Sequence, residues 1–444
     1  MKLWGKGVGL SEEIERFTIG NDQQLDMLLA PYDVLGSMAH ASMLRDIGLL
    51  TQQEWRQLQD ALVEIYHSIN NGDFRIEESV EDIHSQVEFS LTQQLGTVGK
   101  KIHSGRSRND QVLVDIKLYL REEIRKQAKN ITEFVEVLLE LSEEYQKVII
   151  PGYTHMQAAM PSSFGLWFGA FAETLIDDLK LLKAAYDIVN QNPLGSAAGY
   201  GNSFPLDRLA TTRLLGFQDL HVNAVAAQMS RGKTETAVAF AIAGISGTIG
   251  KMAMDVCLYN SQNLAFLSFP DEITTGSSIM PHKKNPDVFE LIRARCNHLQ
   301  SLPQQIIGIT SNLPSGYHRD MQLTKELLLP SLDHLSDCIR LMTGTIKQVV
   351  INHDAINDSK YDLIYSVENV NSEVMKGTSF RDAYQLVAKS IGEGSFEPSR
   401  EVKHTHLGSI GNPGTAEIRN KLQRTIDSFD FESYSLKLQQ LIDS

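Results

Sequence analysis

The chain has 444 residues, with 41 Lys and Arg against 55 Asp and Glu, so its formal net charge is −14. A hydrophobic fraction of 42% and a charged fraction of 22% are ordinary for a globular protein and exclude disorder as the main state. At roughly 100–200 residues per domain, the length predicts two to four domains. The acidic balance argues against nucleic acid as the main partner, because phosphate binding needs a basic surface.

No window holds the roughly 18 uninterrupted apolar residues of a membrane-spanning helix. The first residues, MKLWGKGVGLSEE, lack the apolar stretch of about 7–15 residues that a secretory signal contains. Cys257, Cys296 and Cys338 are an odd number and lie far apart, which fits neither a disulfide framework nor a cysteine metal site. We therefore expect a cytoplasmic protein with no membrane partner and no metal.

The two ends of the chain predict small domains of short helices. Near the first end, the Thr51–Glu54 and Ser79–Asp82 segments match the capping box, in which a hydroxyl residue and an acid bind the free N–H groups of a helix start. Near the other end, Gly and Pro residues cluster among short helical patterns. We place an N-terminal domain at 1–108 and a C-terminal domain at 353–444.

Between these domains the sequence is dominated by long helical patterns. Residues 112–150 contain no Gly or Pro and carry apolar side chains at close to helical spacing, which predicts an unbroken helix about 58 Å long. Further helices are predicted at 164–189, 234–267, 286–302 and 323–350, and strand patterns are nearly absent. The sequence therefore predicts an all-α protein whose central domain, 109–352, is an elongated helical bundle.

Four polar segments interrupt the helices, and two of them flank the long helix. Residues 100–110 place four Lys and Arg side chains just before it, where free N–H groups and the positive end of the helix dipole favour an anion. At the predicted start of the next helix, Thr154 and His155 stand side by side, and a histidine there is suited to proton transfer. A solvated basic turn and a capping or buried histidine are the alternative interpretations.

The other two segments lie in the second half of the bundle. Residues 274–286 combine hydroxyls, lysines and an amide between a Gly and two Pro residues, a pattern typical of a lid that closes over a site. Lys283 and Asn285 would supply donors to a developing negative charge on oxygen. Residues 315–325 again mix donors suited to a carboxylate with a turn into a helix. Both segments also fit ordinary polar loops.

The two segments that flank the long helix are too far apart to meet within one subunit. A straight helix over 112–150 would hold the basic segment and His155 tens of ångströms from each other. A site that uses both must take them from different subunits. The sequence therefore favours an obligate oligomer.

Taken together, the polar segments resemble one enzyme superfamily. Residues 276–286, GSSIMPHKKNP, resemble the signature loop of the fumarase/aspartase superfamily. Residues 103–112, HSGRSRNDQV, are similar to the argininosuccinate lyase family, as are residues 152–155, GYTH, and the spacing of Tyr317, Gln322 and Lys325.

This resemblance implies an all-α, three-domain subunit of the fumarase/aspartase type with a long central helical bundle. It implies a homotetramer with a twenty-helix core, in which each active site is built from three subunits. The implied reaction is the reversible β-elimination of a small-molecule substrate, argininosuccinate, to L-arginine and fumarate in arginine biosynthesis. No cofactor is implied.

The resemblance also implies roles for particular residues. Ser277 and His155 become the proton-transfer residues, with Ser277 assigned as the base on the closing loop and the direction between the two left open. Glu290 is implied to pair with the histidine. Asp82 or His84 is expected near the arginine portion of the substrate. The implied substrate contacts are Arg108, Asn109, Thr154, Lys283, Asn285, Tyr317, Gln322 and Lys325.

Four stretches depart from the family pattern. Residues 158–161 read AAMP where the family usually has RAQP, and residues 230–234 read SRGKT, keeping only Arg231 of a Ser-x-Arg-Asp-Phe pattern. Residues 4–8 read WGKGV where WGGRF is usual, and Asn21 and Asp22 stand where a substrate-contacting serine is expected near residue 22. The alternatives are therefore a lyase that releases fumarate from another succinyl-amine, and a non-catalytic structural protein of the lens-crystallin kind. The complete proton-transfer segments argue against the second.

Overall fold

The computed structural model describes residues 11–77 and 79–444, so the WGKGV stretch at residues 4–8 lies outside the described residues. The helices of the first part are α1 (Glu12–Ile19), α2 (Asp22–Asp46), α3 (Gln52–Asn70), α4 (Ile83–Leu95) and α5 (Thr97–Lys100). The helices of the middle part are α6 (Arg108–Glu144), α7 (Phe164–Val189), α8 (Arg208–Leu214), α9 (Ala224–Met229), α10 (Lys233–Tyr259), α11 (Asp287–Leu299), α12 (Leu302–Thr310) and α13 (Leu323–Ile346). The last helices are α14 (Ser366–Met375), α15 (Phe380–Gly392), α16 (Thr415–Asp427) and α17 (Phe431–Ile442).

Within these ranges the strands form three short pairs. The pairs are β1 (Ile149–Thr154) with β2 (Gln157–Ser163), β3 (Gln191–Asn192) with β4 (Asp219–Leu220), and β5 (Leu267–Ser268) with β6 (Val350–Ile351). The first and third pairs are antiparallel and the second is parallel. These pairs sit between long helices, so the predicted all-α class is confirmed.

The N-terminal helices test the two predicted capping boxes. The Thr51 N–H donates to Glu54 Oε2 at 2.9 Å and the Glu54 N–H donates to Thr51 Oγ1 at 3.2 Å, which confirms the first box. The second box is wrong, because α4 begins only at Ile83 and Asp82 is its cap, accepting the Ser85 N–H at 2.8 Å. A carboxylate caps a helix start as well as a hydroxyl does, so the helix begins one turn later than predicted.

The central bundle is built on α6 and the helices packed along it. At 37 residues, α6 is about 55 Å long. Its apolar face packs with those of α7, α10, α11 and α13 in one buried core, which includes Leu138, Phe168, Ile245, Phe289 and Ile339. Such burial stabilises each helix by about 1.5–3 kcal/mol for every large side chain removed from water.

The predicted helix bounds hold in one case and differ in the others. The range 164–189 is confirmed at both ends, where Ser163 caps α7 by accepting the Leu166 N–H at 3.1 Å. The long helix ends at Glu144, before the predicted residue 150, because the chain turns into β1. α10 ends at Tyr259 and α13 at Ile346. The predicted range 286–302 is α11 alone, which ends three residues earlier than predicted, and α12 begins at Leu302.

One helical stretch, Ala224–Tyr259, is long and apolar enough to cross a membrane by length and composition. More than half of its apolar window, 56%, is buried against the rest of the chain. A core helix of a bundle passes the same test, and we interpret this stretch as one.

Two of the C-terminal helices pack against earlier helices of the chain. α16 packs on α6 and α7, and the end of α17 reaches α3, where Gln59 Nε2 donates to the Leu441 carbonyl at 2.8 Å. A separate small core of Val370, Ala383 and Val387 joins α14 to α15. The domain boundaries near 109 and 352 stay predictions.

Candidate active site

One cavity of about 170 Å³ gathers five of the eight predicted substrate contacts. It lies where the starts of α2, α4, α6 and α13 meet the segment before α10. We call it the pocket. The predicted contacts that line it are Arg108, Asn109, Tyr317, Gln322 and Lys325.

The start of α6 fixes Arg108 at the pocket wall. Ser107 caps this helix in a capping box, in which its N–H donates to Asp110 Oδ1 at 2.8 Å. The Arg108 guanidinium lies 3.0 Å from Glu81 and 3.1 Å from Asp82. The basic segment is therefore partly balanced by acids, which favours a ligand that carries both positive and negative groups.

Lys325, at the start of α13, is almost fully buried and pairs with two carboxylates. Its Nζ lies 2.5 Å from Asp22 Oδ1 and 2.7 Å from Asp26 Oδ1. Burial raises the pKa of Asp22, with Lys325 acting against the rise and Asp26 adding to it. Sequence reasoning predicted Lys325 and named Asp22 near the place of a substrate contact, but it missed Asp26, which is 299 positions away from Lys325 in the chain.

Arg231, just before α10, joins two walls of the pocket. Its Nε lies 2.7 Å from Glu235 Oε1, and its guanidinium donates to the Met321 carbonyl at 2.9 Å. Arg231 is 4% and Glu235 2% exposed. This pair holds the start of α10 against the turn that carries Gln322, whose amide donates to the Ile19 carbonyl at 3.2 Å. The end of α1 thereby closes one side of the pocket.

Thr154 and His155 lie on the β1–β2 hairpin, so the expected helix start was wrong. Thr154 pairs with Gln157, which leaves His155 and Met156 as a two-residue turn with φ values of 51° and 61°. Both φ values are positive, as in the type I′ turn that suits the twist of a hairpin. A non-glycine residue in this region carries about 1–2 kcal/mol of strain. Strain of this kind often marks a functional turn, and here it holds His155 exposed at the tip.

Ser277, Lys283 and Asn285 share a loop whose two ends are tied together. The Asn285 N–H donates to the Thr275 carbonyl at 2.8 Å, and the Thr275 N–H donates to the Asn285 carbonyl at 3.1 Å. Within the loop, Ser277 Oγ accepts the Met280 N–H at 3.1 Å. Lys283 is exposed and its Nζ bonds to no group of the described chain. A loop whose ends are joined by backbone hydrogen bonds and whose tip is exposed has the form expected of a lid.

Glu290 lies on the first turn of α11, directly after this loop. Its carboxylate is exposed and lies 3.8 Å from the Arg293 guanidinium. Within the described residues of this one chain, no hydrogen bond or ion pair joins Glu290 to His155.

The pocket and the proton-transfer residues lie at opposite ends of the bundle. Arg108 is the first residue of α6 and the hairpin follows its last, about 55 Å away. Trp167, in the first turns of α7, donates from Nε1 to Asp255 near the end of α10 at 3.1 Å. The end of α10, and the loop at 276–286 after it, therefore lie at the hairpin end, whereas Arg231 precedes α10 at the pocket end. One chain does not bring these groups together.

Comparison with known proteins agrees with the resemblance seen in the motifs. The chain matches the family described as a lyase over residues 11–300. It is 57% identical to the argininosuccinate lyase of Bacteroides fragilis, over 97% of this chain and 96% of that protein. It is 56% identical to that of Parabacteroides distasonis over 99% of each chain, and 39% identical to that of Thermotoga neapolitana over 88% of this chain and 98% of that protein.

This chain belongs to the argininosuccinate lyase family. Solved structures share its fold at low sequence identity. An EDDS lyase in complex with formate matches with a TM-score of 0.76 at 20% identity, over 98% of this chain and 95% of that one. A class II fumarase from Schistosoma mansoni matches with a TM-score of 0.68 at 16% identity, over 88% and 93%. The predicted fumarase/aspartase type of fold is confirmed.

Behind the pocket of this argininosuccinate lyase family member lies a buried group of His84, Asp33 and Asp115. His84 Nδ1 is 2.8 Å from Asp33 Oδ1 and 3.5 Å from Asp115 Oδ2. The three residues offer ligand atoms within 4.8 Å of one another, close enough to share a metal ion. However, two ligands at about 2.0–2.1 Å from a tetrahedral ion would lie about 3.3 Å apart. The shorter 2.8 Å separation fits a hydrogen bond and a shared proton.

The departures from the argininosuccinate lyase pattern fall in different places. Ala158 and Met160 are exposed on β2, near the hairpin tip. Arg231 keeps buried contacts at the pocket. Asp22, near the expected place of a serine, adds a carboxylate to the pocket and pairs with Lys325. Of these departures, Asp22 changes the charge of the pocket most directly.

Proposed function

We propose that this chain is an argininosuccinate lyase, which cleaves argininosuccinate reversibly to L-arginine and fumarate in arginine biosynthesis. The observation that carries the proposal is the 57% identity to an argininosuccinate lyase over 97% of the chain. The pocket supports it, because its mixed charges suit a substrate with carboxylates, an ammonium group and a guanidinium.

In the proposed mechanism, a proton leaves the carbon beside a succinyl carboxylate and the bond to the guanidinium nitrogen breaks. Ser277 takes the proton on a loop whose closure excludes water. The hydroxyl of Ser277 is a very weak acid, so the alkoxide that takes this proton and returns to the hydroxyl exists only where donors stabilise its charge. Lys283 and Asn285 supply those donors. His155 acts on the leaving nitrogen, directly or through water, and Glu290 raises its basicity. The mechanism uses no metal and no cofactor.

We further propose a homotetramer with a twenty-helix core, in which three subunits contribute to each site. The support is the distance between the pocket and the proton-transfer residues within one chain. The central helices also carry large apolar side chains that are 43–62% exposed, namely Leu181, Phe240, Met254 and Leu291. Such patches are typical of surfaces that other subunits cover.

The direct test of the activity is fumarate release, followed by ultraviolet absorbance, with argininosuccinate beside adenylosuccinate, aspartate and malate. Release from argininosuccinate alone supports the proposal. Ser277→Ala is the matched control, since it keeps the fold and removes the proposed base. No release from argininosuccinate by a folded tetramer contradicts the proposal.

A second candidate is a lyase that releases fumarate from another succinyl-amine. Asp22 favours it, because a carboxylate in place of a serine changes which group the pocket holds best. The same assay decides between the two candidates. Fumarate release only from a different succinyl compound would support the same mechanism with a different substrate.

We place the protein in the cytoplasm, with no nucleic acid or membrane partner. Cys257, Cys296 and Cys338 are free thiols, as is usual in a reducing compartment. The net charge of −14 disfavours binding to nucleic acid.

A further inference from the structure

We infer that Asp33 and Asp115 are positioning residues that hold His84 as a cationic donor, whose Nε2–H binds a carboxylate of the substrate in the pocket. The inference rests on the proposed function for the identity of the substrate. It assigns a role to two buried aspartates that the motifs did not single out.

The three side chains come from three different helices. Asp33 lies on α2, His84 on the first turn of α4 and Asp115 on α6. Asp33 and Asp115 are 1% and 0% exposed, whereas His84 is 8% exposed and lines the pocket. The Nδ1 side of the imidazole faces the two aspartates, at 2.8 Å and 3.5 Å. The opposite ring nitrogen, Nε2, is therefore the atom that the pocket can reach.

The charges around the ring decide its protonation. Burial alone would lower the pKa of His84, but the charge and hydrogen bond of Asp33, helped by Asp115 and Asp82, raise it to about 10. Burial and the nearby Asp33 raise the pKa of Asp115 well above its ordinary value, against the cations His84 and Arg106. Asp33 is therefore the main counter-ion, and the ring carries a positive charge at neutral pH.

The other cations of the pocket already have acidic partners. Arg108 pairs with Glu81, Arg231 with Glu235, and Lys325 with Asp22 and Asp26.

By contrast, His84 Nε2 makes no hydrogen bond within the described chain. An imidazolium with one N–H held by Asp33 and the other open to the pocket is preorganised to bind a carboxylate. Its cost of burial is already met by the aspartates in the folded protein, so the donor is in place before substrate arrives.

The test is Asp33→Asn, assayed for argininosuccinate cleavage from pH 6 to pH 9. Without this carboxylate the largest of the effects that raise the pKa of His84 is lost, so the pKa falls and a larger fraction of the ring is neutral at pH 8. We expect KM at pH 8 to rise on the order of 10- to 100-fold, the loss of a charge-assisted hydrogen bond. We expect kcat to fall less, and KM to recover as the pH is lowered. Asp115→Asn should act in the same direction with a smaller effect, because this group lies farther from Nδ1 and its raised pKa leaves it less charged than Asp33.

The matched control is Asp178→Asn, which alters a partly buried aspartate bonded to Thr248 in the middle of the bundle. It should leave KM and its pH profile unchanged. A folded Asp33→Asn protein with the KM and pH profile of the wild type would overturn the inference.

Two further measurements apply if the Asp33→Asn protein does not fold or if the wild type releases no fumarate. If Asp33→Asn does not fold, the wild type decides the question. A constant KM from pH 6 to pH 9 supports a charged His84, and a KM that rises with an apparent pKa near 6.5 contradicts it. If the wild type releases no fumarate, the proposed function fails separately. Calorimetric binding of succinate, an unreactive dicarboxylate, to wild type and Asp33→Asn then tests the carboxylate donor, and equal affinities would overturn it.

Discussion

His40 Nε2 donates a hydrogen bond to the backbone carbonyl of Ser104 at 2.9 Å. His40 is fully buried on α2, and its Nδ1 has no hydrogen-bond partner among the described residues. Burial, with the charge of Arg106, lowers the pKa of His40 well below its ordinary value. The ring is therefore neutral in the folded protein, and it holds the basic segment that leads into α6 and the pocket.

This neutral histidine predicts a loss of stability in mild acid. Below about pH 6.5 the unfolded chain binds a proton at His40 and the folded chain does not, so acid favours unfolding. The contribution of His40 to this loss approaches about 1.4 kcal/mol per pH unit as the pH falls below about 6.5. In His40→Gln this part of the slope disappears. The free energy of unfolding of both proteins, measured at pH 6.5 and pH 5.5 and at one protein concentration, checks the prediction, and equal slopes would contradict it.

The lid loop predicts a large kinetic effect of Lys283→Ala with little effect on stability. Lys283 is exposed and bonds to no group of the described chain, so its removal leaves the folded structure intact. If it stabilises the developing charge, turnover falls on the order of 10²–10³-fold, as for other donors of this kind. Lys347→Ala, which removes another exposed lysine, is the control and should keep the wild-type rate. A Lys283→Ala protein of near-normal kcat would show that this lysine has no such role.

The buried ion pair predicts a stability effect at the pocket. Glu235→Gln leaves the Arg231 charge buried without its carboxylate, which costs about 3–5 kcal/mol. Because Arg231 also holds the turn that carries Gln322, KM should rise as well. Asp187→Asn, which breaks the exposed pair with Lys183, should cost less than about 1 kcal/mol. Thermal unfolding of both variants at equal concentration measures the difference, and similar losses would refute the special role of the buried pair.

Much of the helical fold could be predicted, because its signals are local. Ser163 and Asn190 mark the ends of α7, and the apolar residues between them follow the helical period throughout. The end of α10 was predicted too late, since Phe266 and Leu267 continue the apolar run although they are buried as loop and strand. Periodicity alone does not separate a buried strand from a buried helix over so few residues.

The hairpin that carries His155 had no comparable local signal. Its turn residues are His155 and Met156, and neither belongs to the Asn-Gly type that usually marks a two-residue turn. The motifs of the site could be recognised because they are continuous in sequence. Asp26 in the pocket and Asp33 behind it could not be recognised, because they meet Lys325 and His84 only after the chain has folded.

The most direct test of the account is to mix two inactive variants, His155→Asn and Ser277→Ala, and to let their subunits exchange. Neither protein alone should release fumarate from argininosuccinate. If His155 and Ser277 reach one pocket from different subunits, random mixing in equal amounts leaves about a quarter of the sites with both residues intact. We therefore predict that about a quarter of the wild-type activity returns. A mixture of exchanged subunits that stays inactive would contradict a site in which His155 and Ser277 come from different subunits.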